Sequence, residues 1–170
     1  MKIISYRLNN ATSYGVLVNN ELYSLPENQS GLPATMNAFL ALEESGMEMA
    51  RQTAQQIEAG ALVANPVSNY EILAPVPHPT SCRDGYAFRQ HVEAARKNRG
   101  VEMIPEFDQY PIFYFTNHQA VEGPGPVYCM PDHFEQLDFE LEIAIVIGKK
   151  GRNIKASEAD AYIAGCTIMN

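Results

Sequence analysis

Three acidic residues alternate with apolar ones near the end of this sequence. Asp138, Glu140 and Glu142 lie within the apolar stretch 137–148. Side chains alternate between the two faces of a strand, so a strand at 136–148 would place the three carboxylates on one face. The residues that follow are apolar on both faces, which predicts that the strand enters the interior with its carboxylates beside a buried region.

Carboxylates crowded beside a buried region need a compensating charge, because like charges repel and buried ionised groups are costly. A hard divalent cation supplies that charge, and carboxylate oxygens suit Mg²⁺, Mn²⁺ or Ca²⁺. The alternative is an edge strand whose acidic face is solvated, which is common in antiparallel sheets. This segment alone leaves both interpretations open.

A second group of candidate residues lies upstream, where Asp84 and His91 are about two helical turns apart. A helix is predicted over residues 83–97, ending before Gly100, and it would place both side chains on one face. Histidine changes protonation near neutral pH, so His91 could accept a proton from a metal-bound water. The alternatives are a surface or capping histidine and an N-cap aspartate.

The two groups together resemble the fumarylacetoacetate hydrolase family, in which a segment with spaced Asp, Tyr, Phe and His residues precedes an acidic strand. The matching residues are Asp84, Tyr86, Phe88 and His91, and then Leu137, Asp138, Glu140 and Glu142. Residues 113–117, 123–125 and 165–170 are also similar to parts of the family's pattern. The resemblance covers roughly residues 70–170 and implies the N-terminal portion of a longer protein.

The resemblance implies a role for each matching residue. Asp84, Glu140 and Glu142 would hold a divalent metal, Mg²⁺ or else Mn²⁺ or Ca²⁺. His91 would be the general base, and Tyr86 would contact the substrate. The implied activity is hydrolysis of a carbon–carbon bond in a 1,3-dicarbonyl acid such as an acylpyruvate or a fumarylacetoacetate-like compound, as in aromatic amino acid catabolism. The alternatives are a decarboxylase or isomerase of a related oxo-acid at the same metal site, or a catalytically silent binding module.

Further features also follow from the resemblance. A fourth metal ligand is expected in the aspartate that follows the family's equivalent of Asn170. Gly100 stands where the animal enzymes have a substrate-binding arginine, and Arg96 or Arg99 could take its place. The implied partners are a small oxo-acid substrate and a second copy of the chain in a homodimer.

The elements that would position these residues form a mixed α+β fold, mostly β. Residues 1–70 are predicted to be a small α+β module, with a β-hairpin turning at Asn19 and Asn20 and two short helices between 33 and 61 that break near Gly46. Residues 71–170 would be the first part of the catalytic domain. They would contain strands at 111–116 and 165–170, and a helix at 157–164 capped by Ser157.

Composition limits the kind of protein further. The 170 residues are 46% hydrophobic, enough for a buried core, and no apolar run reaches the roughly 20 residues of a membrane span. The start shows no secretory signal pattern, so a cytoplasmic location is expected. A net charge of -8 argues against nucleic acid and anionic membranes as partners. The three cysteines are predicted to be reduced and mostly buried.

Overall fold

A computed structural model describes all 170 residues, and the chain separates into two compact units. Unit 1 contains Met1–Pro77 and Glu122–Asn170, and unit 2 contains His78–Val121. The chain contains both helices and strands, and its strands form small sheets. This confirms the mixed α+β class. No helix has the length and apolar character that crossing a membrane requires.

Unit 1 begins with an antiparallel sheet of four strands. They are β1 (Lys2–Leu8), β2 (Ala11–Val18), β3 (Glu21–Ser24) and β4 (Glu71–Ile72), in the order β3-β2-β1-β4. Between β2 and β3, Asn19 has φ 50° and Asn20 has φ 67°, the left-handed conformation that a tight hairpin turn requires. The predicted hairpin is confirmed.

Three helices follow the hairpin. They are α1 (Leu25–Asn28), α2 (Met36–Leu40) and α3 (Glu43–Glu58). The predicted break near Gly46 is wrong, since the helices separate at residues 41–42 and Gly46 lies inside α3. A Cβ at Gly46 would lie 2.9 Å from the Cβ of Leu42 and 3.0 Å from the carbonyl oxygen of Phe39. Gly46 therefore does not end a helix. Its missing side chain allows the preceding chain to pass close to α3.

The core of unit 1 lies between the sheet and these helices. Tyr14 and Val16 on β2 are fully buried and belong to one cluster with Phe39 of α2 and Ala50 of α3. The Tyr14 hydroxyl donates to the carbonyl oxygen of Pro33 at 2.8 Å, which satisfies the polar end of a buried ring. Burial raises the pKa of Tyr14 to about 12.

Unit 2 contains β5 (Arg83–Gly85), α4 (Arg89–Asn98) and β6 (Phe113–Phe115), with 3-10 helices at Pro105–Asp108 and His118–Ala120. The helix predicted over 83–97 is wrong in its first part. Residues 83–85 instead pair antiparallel with β6, and Tyr86 extends this pairing by donating its N–H to the carbonyl oxygen of Ile112 at 3.0 Å. The distant strand satisfies the backbone groups that a helix would have used.

The last part of unit 1 contains a two-stranded antiparallel sheet of β7 (Glu142–Ile147) and β8 (Ile163–Met169). The strand predicted at 136–148 is shorter than expected because Glu142 pairs with Met169, the last residue of β8. Before it, the Asp138 carboxylate accepts the N–H of Phe139 at 2.8 Å, a local bond that competes with strand pairing.

The other predictions for this region have mixed outcomes. The strand predicted at 165–170 is confirmed by β8, and the strand at 111–116 by β6. The helix predicted at 157–164 is a 3-10 helix, Ala156–Tyr162, with Lys155 and not Ser157 as its N-cap. A second 3-10 helix covers Pro131–Gln136. The cysteines are free, but they are half-buried or exposed and not mostly buried.

Gly15 of β2 provides a test of the sheet of unit 1. A Cβ there would lie 2.4 Å from the carbonyl oxygen of Tyr23 on β3, so Gly15→Ala must displace backbone. We expect a loss of about 1–3 kcal/mol in the free energy of unfolding, the usual cost of overpacking, measured by urea denaturation. The control is Gly165→Ala in β8, where nothing lies within 4 Å of the added atom. Equal stability of the two variants would contradict the packing described here.

Candidate functional site

Asp84 is held in place by the pairing of β5 with β6. It lies directly opposite Tyr114 in this antiparallel pair, so the two side chains project from the same face. The Tyr114 hydroxyl donates to Oδ2 of Asp84 at 2.6 Å. Asp84 is half-buried. A carboxylate has about four acceptor positions on its two oxygens, so this bond leaves capacity for a further ligand.

The opposite face of the same strand pair is aromatic. The Arg83 guanidinium lies 4.8 Å from the ring centroid of Phe115 and 5.5 Å from that of Phe113. The two phenylalanine rings meet edge to face with centroids 5.7 Å apart. These contacts hold one face of the strand pair together while the other face presents Asp84 and Tyr114.

Tyr86, in the connection from β5 to α4, lies close to His91 in the first turn of α4. Their ring centroids are 6.4 Å apart and their planes are inclined by 57°. The next residue, Val92, is almost completely buried, whereas His91 is exposed. The prediction that Asp84 and His91 share one helix face is wrong, because Asp84 lies on a strand and His91 on α4. Both nevertheless belong to unit 2.

Ion pairs fix the first turn of α4. Arg89 donates to Asp108 and, at 2.7 Å, to Glu93. The hydrogen bond with Asp108, followed by that with Glu93, raises the pKa of the Arg89 guanidinium. Arg89 thereby connects the helix that carries His91 to the 3-10 helix that ends at Asp108. Sequence reasoning missed this link, because nothing local in the sequence joins Arg89 to Asp108, nineteen positions away.

An open cavity of about 510 Å³ lies within unit 2, a volume that suits a small-molecule ligand. Tyr86 contributes to its lining, together with Phe107, Tyr110 and Phe113. Tyr86 is the only predicted site residue in that lining. Contact of Tyr86 with a substrate stays a prediction.

Glu140 and Glu142 lie at the start of the sheet formed by β7 and β8. Glu142 is the first residue of β7 and is half-buried, and Glu140 lies in the irregular segment before it and is exposed. The backbone N–H of Glu140 donates to Oδ1 of Asn170 at 2.9 Å, so the Asn170 side chain fastens this segment to the end of β8. Sequence reasoning missed that contact, because it joins residues thirty positions apart.

The burial of the side chains on the two faces of β7 differs from the sequence prediction. Ile143, Ile145 and Ile147 are 73%, 54% and 63% exposed, whereas Ala144 and Val146 are half-buried. The predicted run into the interior is therefore wrong. The physical reason is that β7 has β8 as its sole strand partner and no other element of the chain covers the isoleucine face.

The chemistry of the predicted ligands fits a hard divalent cation, since Asp84, Glu140 and Glu142 offer carboxylate oxygens alone. Asp84 belongs to unit 2, and both glutamates belong to unit 1. No three His, Cys, Asp or Glu side chains are grouped in the structure so as to hold a metal ion. The hydrogen bonds at Asp84 and at the Glu140 backbone restrain two of the three candidate ligands.

Comparison with known proteins gives a consistent result. The model of the fumarylacetoacetate (FAA) hydrolase C-terminal family matches residues 80–170. The human protein "Oxaloacetate tautomerase FAHD2A, mitochondrial" is 34% identical over 141 residues, which cover 82% of this chain and 41% of that protein. A Dictyostelium discoideum protein, "Fumarylacetoacetate hydrolase domain-containing protein 2 homolog", is 26% identical over 176 residues and covers 100% of this chain and 53% of its own length.

A solved structure is similar in fold. The fumarylacetoacetate hydrolase of psychrophilic Exiguobacterium antarcticum aligns with a TM-score of 0.64 at 21% identity, covering 99% of this chain and 54% of that one. The chain thus spans about half or less of the length of the relatives it matches. Because the family model matches more than half of its residues, this chain belongs to the fumarylacetoacetate hydrolase family.

Proposed function

We propose that this chain is part of a metal-dependent enzyme that interconverts the keto and enol forms of a small 2-oxo-dicarboxylic acid. The observations that carry the proposal are two contacts within unit 2: the hydrogen bond that restrains the Asp84 carboxylate, and the ring contact between Tyr86 and His91. Several relatives that are about a third identical are named oxaloacetate tautomerases, which supports this reaction for the whole protein.

Asp84, Glu140 and Glu142 are the residues that we propose as ligands, for Mg²⁺ or Mn²⁺. A cation held there would supply stabilisation of the negative charge that develops on the oxygen of the oxo group. Of these three residues, Asp84 is half-buried and Glu140 is exposed. Mg²⁺ retains waters that a substrate can displace, so a few protein carboxylates suffice for it.

His91 is the residue that we propose moves the proton. An unprotonated imidazole nitrogen would take a proton from the carbon beside the ketone, and the C–H electron pair would become the carbon–carbon double bond as the C=O π pair moves onto the oxo oxygen. That oxygen would take a proton from solvent to complete the enol. In the reverse direction the imidazolium would return the proton to that carbon. Tyr86, with its ring 6.4 Å from that of His91 and its side chain lining the cavity, would position the substrate.

Hydrolysis of a carbon–carbon bond is the second candidate, and the family model that matches the chain is named for a hydrolase. His91 would then remove a proton from water, whose oxygen attacks the carbonyl carbon of a 1,3-dicarbonyl acid. The bond between that carbon and its neighbour breaks, and its electron pair remains on the departing oxo-acid as an enolate. Decarboxylation of a related oxo-acid and a catalytically silent binding module are the remaining alternatives.

Other features of the whole protein are also proposals. We propose residues 1–70 as a small N-terminal α+β module, residues 71–170 as the first part of the catalytic domain, and a homodimer as the assembly. The cytoplasmic location also stays a prediction, since the name of the human relative assigns that protein to mitochondria.

The proposed ligands can be tested by Mn²⁺ binding to the full-length protein. We expect Asp84→Asn and Glu142→Gln each to weaken Mn²⁺ binding by at least the roughly 10–100-fold that loss of a partner around a metal site typically costs, measured by isothermal titration calorimetry. Asp160→Asn, at an exposed position in the 3-10 helix before β8, is the matched control and should bind as the wild type does. Unchanged affinity in both ligand variants would overturn the metal site.

The role of His91 is tested by turnover. His91→Gln should reduce turnover by about 10²–10⁴-fold, the usual contribution of a general base, while Mn²⁺ affinity stays within experimental error of the wild type. Two assays on the same samples separate the candidate reactions: loss of enol absorbance with an enolisable oxo-dicarboxylic acid, and product analysis with an acylpyruvate. The control is His133→Gln, in the 3-10 helix Pro131–Gln136. If the His91→Gln variant turned over substrate as fast as the wild type, His91 would not be the general base.

A further inference from the structure

Tyr114 occupies a position that the proposed chemistry does not yet use. It is directly opposite Asp84 in the β5–β6 pair, and its hydroxyl donates to Oδ2 of that residue at 2.6 Å. We propose that Tyr114 is a positioning residue, which holds the Asp84 carboxylate in the orientation required to bind the metal ion. This inference rests on the proposed function, because it takes Asp84 to be a metal ligand.

An aspartate side chain needs such a restraint in order to act as a precise ligand. Its carboxylate can rotate broadly about the terminal bond, and metal binding to a mobile side chain must offset the entropy of fixing it. A hydroxyl bonded to one oxygen removes most of that freedom before the metal arrives. The other lone-pair positions of the carboxylate stay accessible to a cation, since one hydrogen bond occupies one of about four.

The register of the strand pair makes Tyr114 the only residue of β6 able to do this. Its neighbours Phe113 and Phe115 project from the opposite face, where they surround the Arg83 guanidinium. A shift of one residue would place a phenylalanine opposite Asp84, and a phenylalanine has no hydroxyl to donate. The contacts of Arg83 therefore hold the register that brings the hydroxyl to the carboxylate.

The rival role for Tyr114 is direct contact with the substrate. Its side chain is 58% exposed, and an exposed phenol could donate to an anionic ligand. The two roles differ in what they change. A residue that orients a metal ligand alters metal affinity in the absence of substrate, whereas a substrate contact alters only substrate binding.

The test is Tyr114→Phe in the full-length protein, which removes the hydroxyl and keeps the ring. We expect Mn²⁺ affinity without substrate to fall by about 10-fold, toward the lower end of the range for groups that orient a metal ligand. Tyr128→Phe is the matched control, because Tyr128 is 86% exposed and its substitution should leave Mn²⁺ affinity unchanged. Urea denaturation of the metal-free variants checks that the substitution has not simply unfolded the protein.

The outcomes separate this inference from the proposed function. If Asp84→Asn weakens Mn²⁺ binding and Tyr114→Phe does not, Asp84 is a ligand and the positioning role of Tyr114 is overturned. That role is also overturned if Tyr114→Phe raises KM with Mn²⁺ affinity unchanged, which marks a substrate contact. If Asp84→Asn itself leaves Mn²⁺ affinity unchanged, the proposed metal site fails. If the Tyr114→Phe variant is unfolded, Tyr114→His, which keeps a hydrogen-bond donor, is compared with Tyr114→Ala, which has none. Equal Mn²⁺ affinity of these two variants would contradict the proposal.

Discussion

The pairing of β5 with β6 is the constraint on which the candidate site of unit 2 depends. Three residue pairs join the strands, and the central pair sets Asp84 opposite Tyr114. Directly opposed side chains in an antiparallel pair share a face, so the register alone brings a phenol to a carboxylate. Strand β5 ends at Gly85, Tyr86 adds one further hydrogen bond to Ile112, and the chain then enters the helix that carries His91. One short ladder thus orients a ligand candidate and leads directly to the base candidate.

In unit 1, the two candidate ligands Glu140 and Glu142 are restrained in different ways. Glu142 has a regular place as the first paired residue of β7, whereas Glu140 precedes the strand and is restrained through its backbone by the Asn170 side chain. A typical intramolecular hydrogen bond contributes about 0.5–1.5 kcal/mol, so a segment held by one such bond is less firmly held than a strand paired along its length. Carboxylate oxygens suit hard cations, and this chemistry is the reason for proposing the three carboxylates as metal ligands.

The sequence predicted those features of the fold that depend on near neighbours. The hairpin at Asn19 and Asn20 is determined by two residues that tolerate positive φ, and its prediction was confirmed. The segment 83–88 was wrongly assigned to a helix because its charged and alanine-bearing pattern is local, while the strand that captures it lies thirty positions away at Tyr114. The β7 strand was predicted too long for a related reason, since its start is determined by where its partner β8 ends.

The candidate residues themselves could be named from the sequence because residue type and order carry the family resemblance. The contacts that support them could not, since the Tyr114 hydroxyl and the Asn170 amide reach their partners only through strand pairing. The exposed isoleucine face of β7 was likewise unpredictable, because an apolar pattern does not reveal whether another element covers it.

The central proposal is that Asp84, Glu140 and Glu142 are ligands of a divalent cation. The most direct measurement is an anomalous difference map from crystals of the full-length protein grown with Mn²⁺. We predict a single manganese peak in contact with carboxylate oxygens of all three residues. A peak bound by other residues, or no peak at a manganese concentration that saturates binding in solution, would contradict this claim.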